Sequence, residues 1–349
     1  MPKTLIIRAD AGVAIGTGHV MRCLALAQAW QDAGGRCTFA MAESDPALRG
    51  RLSREGCEIH QIQSEVGSQD DAAEVARLAR SLRAEWVVVD GYRFGGAYQE
   101  WIKAANLELL FVDDNGHAGR YSADLVLNQN VHATSDLYQQ RAPRTELLLG
   151  LRYAMLRREF AGWRDWKRAI PEIASKILVT MGGSDPQNVT ETAIHALNNL
   201  PADMTVRVVI GGSNPHYESL RQVLSGYGGR FELLHRVHDL PGLMAWADLA
   251  VSAAGSTCWE MCFLALPAVI IPVAENQRAA AACLDRLGAA TQVSLLTIED
   301  LAEPISGLLL CSEKRRNMSS IARSLVDGDG ATRVVDCLLK PVAHAVGQR

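Results

Sequence analysis

Two α/β halves, each a doubly wound parallel sheet and facing each other across a cleft, are what this sequence predicts. Two observations lead there. Short apolar runs alternate with amphipathic segments along the whole chain, and the runs are continuous in Val, Ile and Leu, as in 86–90 (Trp-Val-Val-Val-Asp). Continuous runs belong to strands covered on both faces, which means a parallel sheet between helical layers. The pattern also starts afresh at Lys176 after a stretch of different character. At 349 residues the chain is long enough for two cores.

In the first half, strands are expected at 4–9, 36–41, 57–62, 86–90, 107–112 and 124–128. Helices are expected at 19–33, 46–55, 70–83 and 96–104. Residues 150–174 mix charged and aromatic side chains without a strand period. Arg157, Arg158, Trp163, Trp166 and Pro171 mark this stretch as a connector packed between lobes. In the second half, strands are expected at 176–181, 205–210, 231–235, 248–252, 268–271 and 290–294. Helices follow at 188–200, 215–225, 256–265, 276–287, 297–309, 313–324 and 330–340. The domain scheme is thus 1–155, a connector at 156–174, 175–325, and a final helix and tail at 326–349.

Composition excludes several classes. The net charge is −4 with no long charge run, which gives no nucleic-acid footprint. No apolar stretch reaches the roughly 18 residues of a membrane span, and the start is not a signal peptide. The eight cysteines form no Cys-x-x-Cys pair. Cys258 and Cys262, four apart, suit two small core residues better than a metal or redox site. A reduced, cytoplasmic protein without a metal centre is expected.

In open α/β sheets ligands bind beyond the carboxyl ends of strands, and the glycine-rich corners fall there. Gly16-Thr17-Gly18-His19-Val20-Met21-Arg22 joins the first strand to the first helix. Two glycines let the backbone approach a ligand. His19 stands at the helix N-terminus, where the dipole disfavours imidazolium and suits a general base. By itself the corner is also an ordinary turn, and Met21 occupies the place of the third glycine of a dinucleotide fingerprint.

Gly182-Gly183-Ser184-Asp185 opens another helix, with amides that could face an anion or simply turn the chain. Gly255-Ser256-Thr257 precedes a helix, either capping it or holding a phosphate, and Glu260 follows one turn on. A carboxylate would be repelled by a phosphate unless it met a sugar hydroxyl further along, so a nucleotide with a ribose is suggested. No Walker A sequence is present. Asn276 and Gln277 open a further helix and could meet a sugar or base. Tyr92, after a strand ending in Asp90, could face the cleft or be half-buried. Asp113-Asp114-Asn115-Gly116-His117 is expected to be a solvated turn rather than a metal cluster.

The ordered set resembles a known family. Its members are Gly-Thr-Gly-His-Val-Met-Arg-Cys, Val-Val-Asp-Gly-Tyr, Val-Asp-Asp, Gly-Leu-Arg-Tyr-Ala-Met-Leu-Arg-Arg-Glu-Phe, Met-Gly-Gly-Ser-Asp-Pro and Ser-Ala-Ala-Gly-Ser-Thr-Cys-Trp-Glu. Over nearly the whole chain it is similar to nucleotide-sugar enzymes of the GT-B fold. The branch is that of the UDP-2,4-diacetamido-2,4,6-trideoxy-β-L-altropyranose hydrolases of pseudaminic acid biosynthesis. These are related to the UDP-N-acetylglucosamine transferases that complete lipid II.

The resemblance implies inverting hydrolysis of a UDP-sugar by water, with no cofactor. His19 would be the catalytic base. Gly16, Gly18, Arg22, Tyr92, Gly183, Ser184, Gly255, Ser256, Thr257, Glu260, Asn276 and Gln277 would bind substrate, with Glu260 on the ribose. A glycosyltransferase using a UDP-sugar donor is the alternative reading. A non-catalytic nucleotide-sugar subunit is the third.

Overall fold

The computed structural model describes residues 3–12, 15–200, 203–235, 237–294 and 297–340. The first half supplies strands β1 (Thr4–Ala9), β2 (Arg36–Met41), β3 (Glu58–Gln61), β4 (Trp86–Asp90), β5 (Glu108–Val112), β6 (Leu125–Asn128) and β7 (Glu146–Leu149). They form one sheet in the order β3-β2-β1-β4-β5-β6-β7. The second half supplies β8 (Lys176–Thr180), β9 (Thr205–Ile210), β10 (Phe231–His235), β11 (Leu249–Ala253), β12 (Ala268–Ile271) and β13 (Thr291–Gln292). Their order is β10-β9-β8-β11-β12-β13. Every pairing in both sheets is parallel.

Helices cover both faces of the first sheet. Ile7 and Ala9 pack toward α1 (Gly18–Asp32), with Val20, Leu24 and Ala27 in the same core. Ile6, Val87 and Val89 face the other way, into a core with Val75 of α3 (Gln69–Leu82) and Ile102 of α4 (Gly96–Ala104). Successive side chains of a strand point to opposite faces, and both faces here are dry, which accounts for the unbroken apolar runs. α2 (Pro46–Arg54) begins on Asp45, whose carboxylate accepts from the Leu48 amide. The second sheet is covered in the same way by two cores. Its helices are α5 (Val189–Asn198), α6 (Tyr217–Ser225), α7 (Leu240–Trp246), α8 (Thr257–Phe263), α9 (Glu275–Leu287), α10 (Ile298–Leu310) and α11 (Ser312–Leu325).

Two elements differ from expectation. β7 was not foreseen: only four residues long, it lies at the sheet edge paired to β6, with Leu147 beside Val126. α7 carries Pro241 and Gly242, which look like breakers in sequence. Pro stands in the first turn, where no amide donor is needed, and Asp239 accepts from the Gly242 amide. The connector folds into short 3-10 turns at Leu151–Tyr153 and Arg158–Trp163.

The last helix, α12 (Gly330–Leu339), returns to the first half. Ala331, Val334, Val335 and Leu338 join the core around α1. The expected tail beyond residue 340 lies outside the described residues.

In each sheet the strand order reverses beside one central strand, between β1 and β4 and between β8 and β11. Crevices at such reversals are where ligands sit in this class of sheet. The corners holding His19, Asp90, Gly183 and Gly255 all follow those four strands.

Candidate active site

The corner after β1 is shaped by Gly16, whose φ of +74° is left-handed and suits glycine. Gly16 and Gly12 exchange backbone hydrogen bonds of 2.8 and 3.3 Å. α1 starts at once, and no side chain caps it at Thr17. His19 therefore stands in its first turn, 9% exposed. Register places Asp90, the last residue of β4, beside Ala9 and under this turn. His19 Nδ1 lies 2.9 Å from Asp90 Oδ1. A carboxylate at Nδ1 holds the proton there and leaves Nε2 free to accept one.

Arg22, one turn further along α1, forks over two carboxylates. Its Nε and Nη2 donate to Asp90 at 2.6 and 2.7 Å, and its Nη1 donates to Asp114 at 2.7 Å. Burial would raise the carboxyl of Asp90, but the Arg22 charge and His19 outweigh it and hold it far below the ordinary range. Asp114 is lowered against burial for the same reason, with Arg22 as the main counterweight. Arg22 itself is held charged, because Asp114 and Asp90 more than offset its desolvation.

Arg22 thus directs its donors at carboxylates within its own sheet and organises them. One expectation is corrected. Asp113 and Asp114 are not a solvated turn: they are 1% and 6% exposed. Asp113 is met by the Tyr121 hydroxyl at 2.5 Å and lies 3.1 Å from His117 Nδ1.

Tyr92 bridges the two halves. Its hydroxyl donates to Asp114 Oδ2 at 2.9 Å and accepts from the Asn276 amide at 2.7 Å. Burial and then the Asp114 charge push the phenol far up, so it stays a neutral donor. Its ring stands edge-on to His19, with centroids 5.0 Å apart. Asn130 adds a third donor to Asp114 at 2.6 Å.

A second meeting of the halves lies at the glycine loops. A Cβ on Gly183 would fall 2.3 Å from Thr17 Oγ1, and one on Gly16 would fall 3.8 Å from Ser184 Oγ. Gly18 opens α1 with free space around its Cα. The start of α5 is already filled: Asp185 accepts from the amides of Val189 and Thr190, both at 2.9 Å. The expected anion site there is thus reduced to the loop before the helix.

Gly255, Ser256 and Thr257 follow β11, and the Ser256 hydroxyl caps nothing. Gln277 lies beside Gly255, and its Oε1 accepts from the Val273 amide at 3.0 Å. Glu260, on α8, is held by Arg157 at 2.7 Å.

The structure thus gathers His19, Arg22, Tyr92 and Asn276 into one cluster, and Gly16, Gly183 and Ser184 into a second contact. Sequence reasoning missed Asp90, Asp114, Asn130 and Arg157. Asp90 ends β4, and Asp114 and Asn130 lie just beyond β5 and β6, so the strand-end rule used for the glycine corners applies equally to them. Among the described residues, no three His, Cys, Asp or Glu side chains converge as metal ligands.

Residues 177–334 match the glycosyltransferase family 28 C-terminal domain. The chain is 26% identical to the spore coat polysaccharide biosynthesis protein SpsG of Bacillus subtilis, over 95% of this chain and 96% of that one. It is 24% identical to the UDP-2,4-diacetamido-2,4,6-trideoxy-β-L-altropyranose hydrolase of Campylobacter jejuni, over 81% of this chain and 97% of that one. Among solved structures, HepE of Anabaena in complex with UDP and glucose superposes with a TM-score of 0.64 at 17% identity. That match covers 97% of this chain and 99% of the other. The architecture is the GT-B fold, two Rossmann-like domains facing each other. No described helix is long and apolar enough to cross a membrane.

Proposed function

We propose that the protein hydrolyses a UDP-linked amino sugar at the anomeric C–O bond with inversion. The products are UDP and a free sugar of the 2,4-diacetamido-2,4,6-trideoxy class, as in pseudaminic acid synthesis. The observation that carries the reading is His19 Nδ1 at 2.9 Å from a buried carboxylate, with Nε2 left to accept. His19 Nε2 takes a proton from water. The water oxygen bonds to C1 from the face opposite UDP, and the C1–O electron pair leaves on the diphosphate. UDP is a good leaving group, so a base suffices where an ordinary inverting glycosidase needs an acid as well.

The loops at Gly183–Ser184 and Gly255–Thr257 would receive the diphosphate with amides and hydroxyls. Glu260 would take the ribose, and Asn276, Gln277 and Tyr92 would border the sugar. No metal is needed in this scheme, since helix N-termini in the second domain would supply positive potential to the departing diphosphate, and added EDTA should leave turnover unchanged. The named activity of the Campylobacter relative supports hydrolysis.

Transfer to an acceptor hydroxyl is the second reading, favoured by the glycosyltransferase match of residues 177–334. A lipid-linked acceptor would call for an apolar docking face on the first domain. Among its described residues up to 150, Tyr92 is the large apolar side chain left exposed, and it is engaged across the cleft. Incubation with the UDP-sugar alone decides between them. Sugar release without acceptor supports hydrolysis, and release only with an acceptor supports transfer. Binding without release indicates a sensor subunit. His19→Asn should still bind UDP while losing roughly 10²–10⁴-fold in turnover.

A further inference from the structure

Glu260 is gripped from outside its own domain. Arg157 Nη2 donates to Glu260 Oε1 at 2.7 Å, and Arg157 Nη1 lies 3.1 Å from Glu159 Oε1. Glu159 is met in turn by Arg51 Nη2 at 2.6 Å, and Arg51 lies 2.9 Å from Glu55. Charges therefore alternate in a row from α8, through the connector, to α2. The Arg157 guanidinium lies over the Phe160 ring, 5.6 Å from its centroid, which fixes its plane. Only one oxygen of Glu260 is taken: among the described residues Oε2 has no hydrogen-bond partner.

We propose that Arg157 is a positioning residue for nucleotide recognition: by holding Oε1 it fixes the Glu260 carboxylate and leaves Oε2 as the acceptor for a ribose hydroxyl. The inference rests on the reading of the second domain as a UDP site and assigns the connector a share in it. The electrostatics agree. Burial raises the Glu260 carboxyl, and Arg157 is the counter-charge that opposes this, while Glu159 adds to the rise. Cys258 on the same helix also lies within reach of the Glu260 charge, and burial holds its thiol neutral. Without Arg157 the carboxyl would take up a proton more readily, and a protonated carboxyl is a poorer acceptor for a diol.

The test compares UDP with 2′,3′-dideoxy-UDP by calorimetry on the full chain. The wild type should prefer UDP. Arg157→Gln should weaken UDP roughly tenfold or more, the scale of a hydrogen bond to a charged group. It should leave dideoxy-UDP nearly unchanged, so that the preference collapses. In Arg157→Gln that preference should return as pH rises, because the carboxyl then ionises, and Arg157→Lys should restore part of it at neutral pH.

Equal weakening of both ligands, or an unchanged preference, overturns the proposal, because Arg157 would then serve the phosphates or the fold alone. A wild type that binds both nucleotides equally removes the ribose role of Glu260 itself. One that binds neither removes the UDP reading of the domain. If Arg157→Gln does not fold, Arg157→Lys and Glu260→Gln make the same comparison: an undiminished preference in Arg157→Lys overturns the proposal, and a partial loss there beside a full loss in Glu260→Gln supports it.

Discussion

Asp90→Asn is the sharpest test of the reasoning about the site. The substitution keeps shape and removes charge. Asp90 is wholly buried, accepts from Arg22 at 2.6 and 2.7 Å, and lies 2.9 Å from His19. An amide at this place has one oxygen to offer and an NH₂ group to direct. Directed at His19, it donates to Nδ1 and moves the ring proton to Nε2, the atom proposed to accept. Turnover should fall by roughly 10²–10⁴-fold, the share of a general base.

Stability falls as well, because a buried guanidinium loses one of two partners. Asp114 still holds Arg22 at 2.7 and 3.0 Å, so the loss should be at the lower end of the cost of breaking a buried pair, about 3 kcal/mol. For a domain of this size that lowers Tm by roughly 6–12 °C. UDP release measured at saturating substrate, with melting followed by circular dichroism, reads both effects. His19→Asn should match the rate loss, and the double variant should be no slower than the worse single one, because the two residues act as a unit. Turnover within about threefold of wild type in a destabilised Asp90→Asn protein would leave Asp90 a purely structural role and refute the argument.

Tyr92→Phe removes the hydroxyl shared by Asp114 and Asn276 and should cost about 1 kcal/mol, roughly fivefold in kcat/KM. Combined with Asn276→Ala the losses should be less than additive; full additivity would deny the bridge. Gly183→Ala places a methyl group against Thr17 across the cleft. It should raise KM roughly fivefold, the equivalent of about 1 kcal/mol at the low end of overpacking costs, with relief in a Thr17→Ala background; absence of relief counts against that contact.

His117 concerns pH. Burial lowers its pKa, but Asp113 and then the Phe94 carbonyl outweigh this and raise it, so the folded value lies above the unfolded one. Its contribution to stability is therefore full below about pH 6.5 and disappears as pH rises through the folded value. The urea-midpoint difference between wild type and His117→Gln should shrink on going from pH 6 to 9. A constant difference would sink the assignment.

Much of the site was legible in sequence because its backbone parts are local. A glycine pair followed by histidine at a strand-to-helix corner needs no knowledge of the rest of the chain. Tyr92 and Asn276, picked out by the same strand-end logic, meet at 2.7 Å. Asp114 was misjudged because Asp-Asp-Asn-Gly has the composition of a turn. The approach of Arg22, 92 residues earlier, together with donors from Tyr92 and Asn130, makes burial of that carboxylate tolerable. Arg157 was passed over as one of several connector arginines, since its partner Glu260 lies 103 residues away.

What the chain alone determined is the set of elements and the parallel character of both sheets. Periodicity, continuous apolar runs and glycine corners are short-range properties, and neighbouring residues dictate them. Tertiary structure decided the rest: the crossing of α12 back onto α1, the neutralisation of Asp90 and Asp114 by one guanidinium, and the hydrogen bond from Asn276 to Tyr92. Each joins residues far apart along the chain, and burial makes their charges matter. Which carboxylate meets which cation depends on how two sheets stack and face each other, and no local pattern records that.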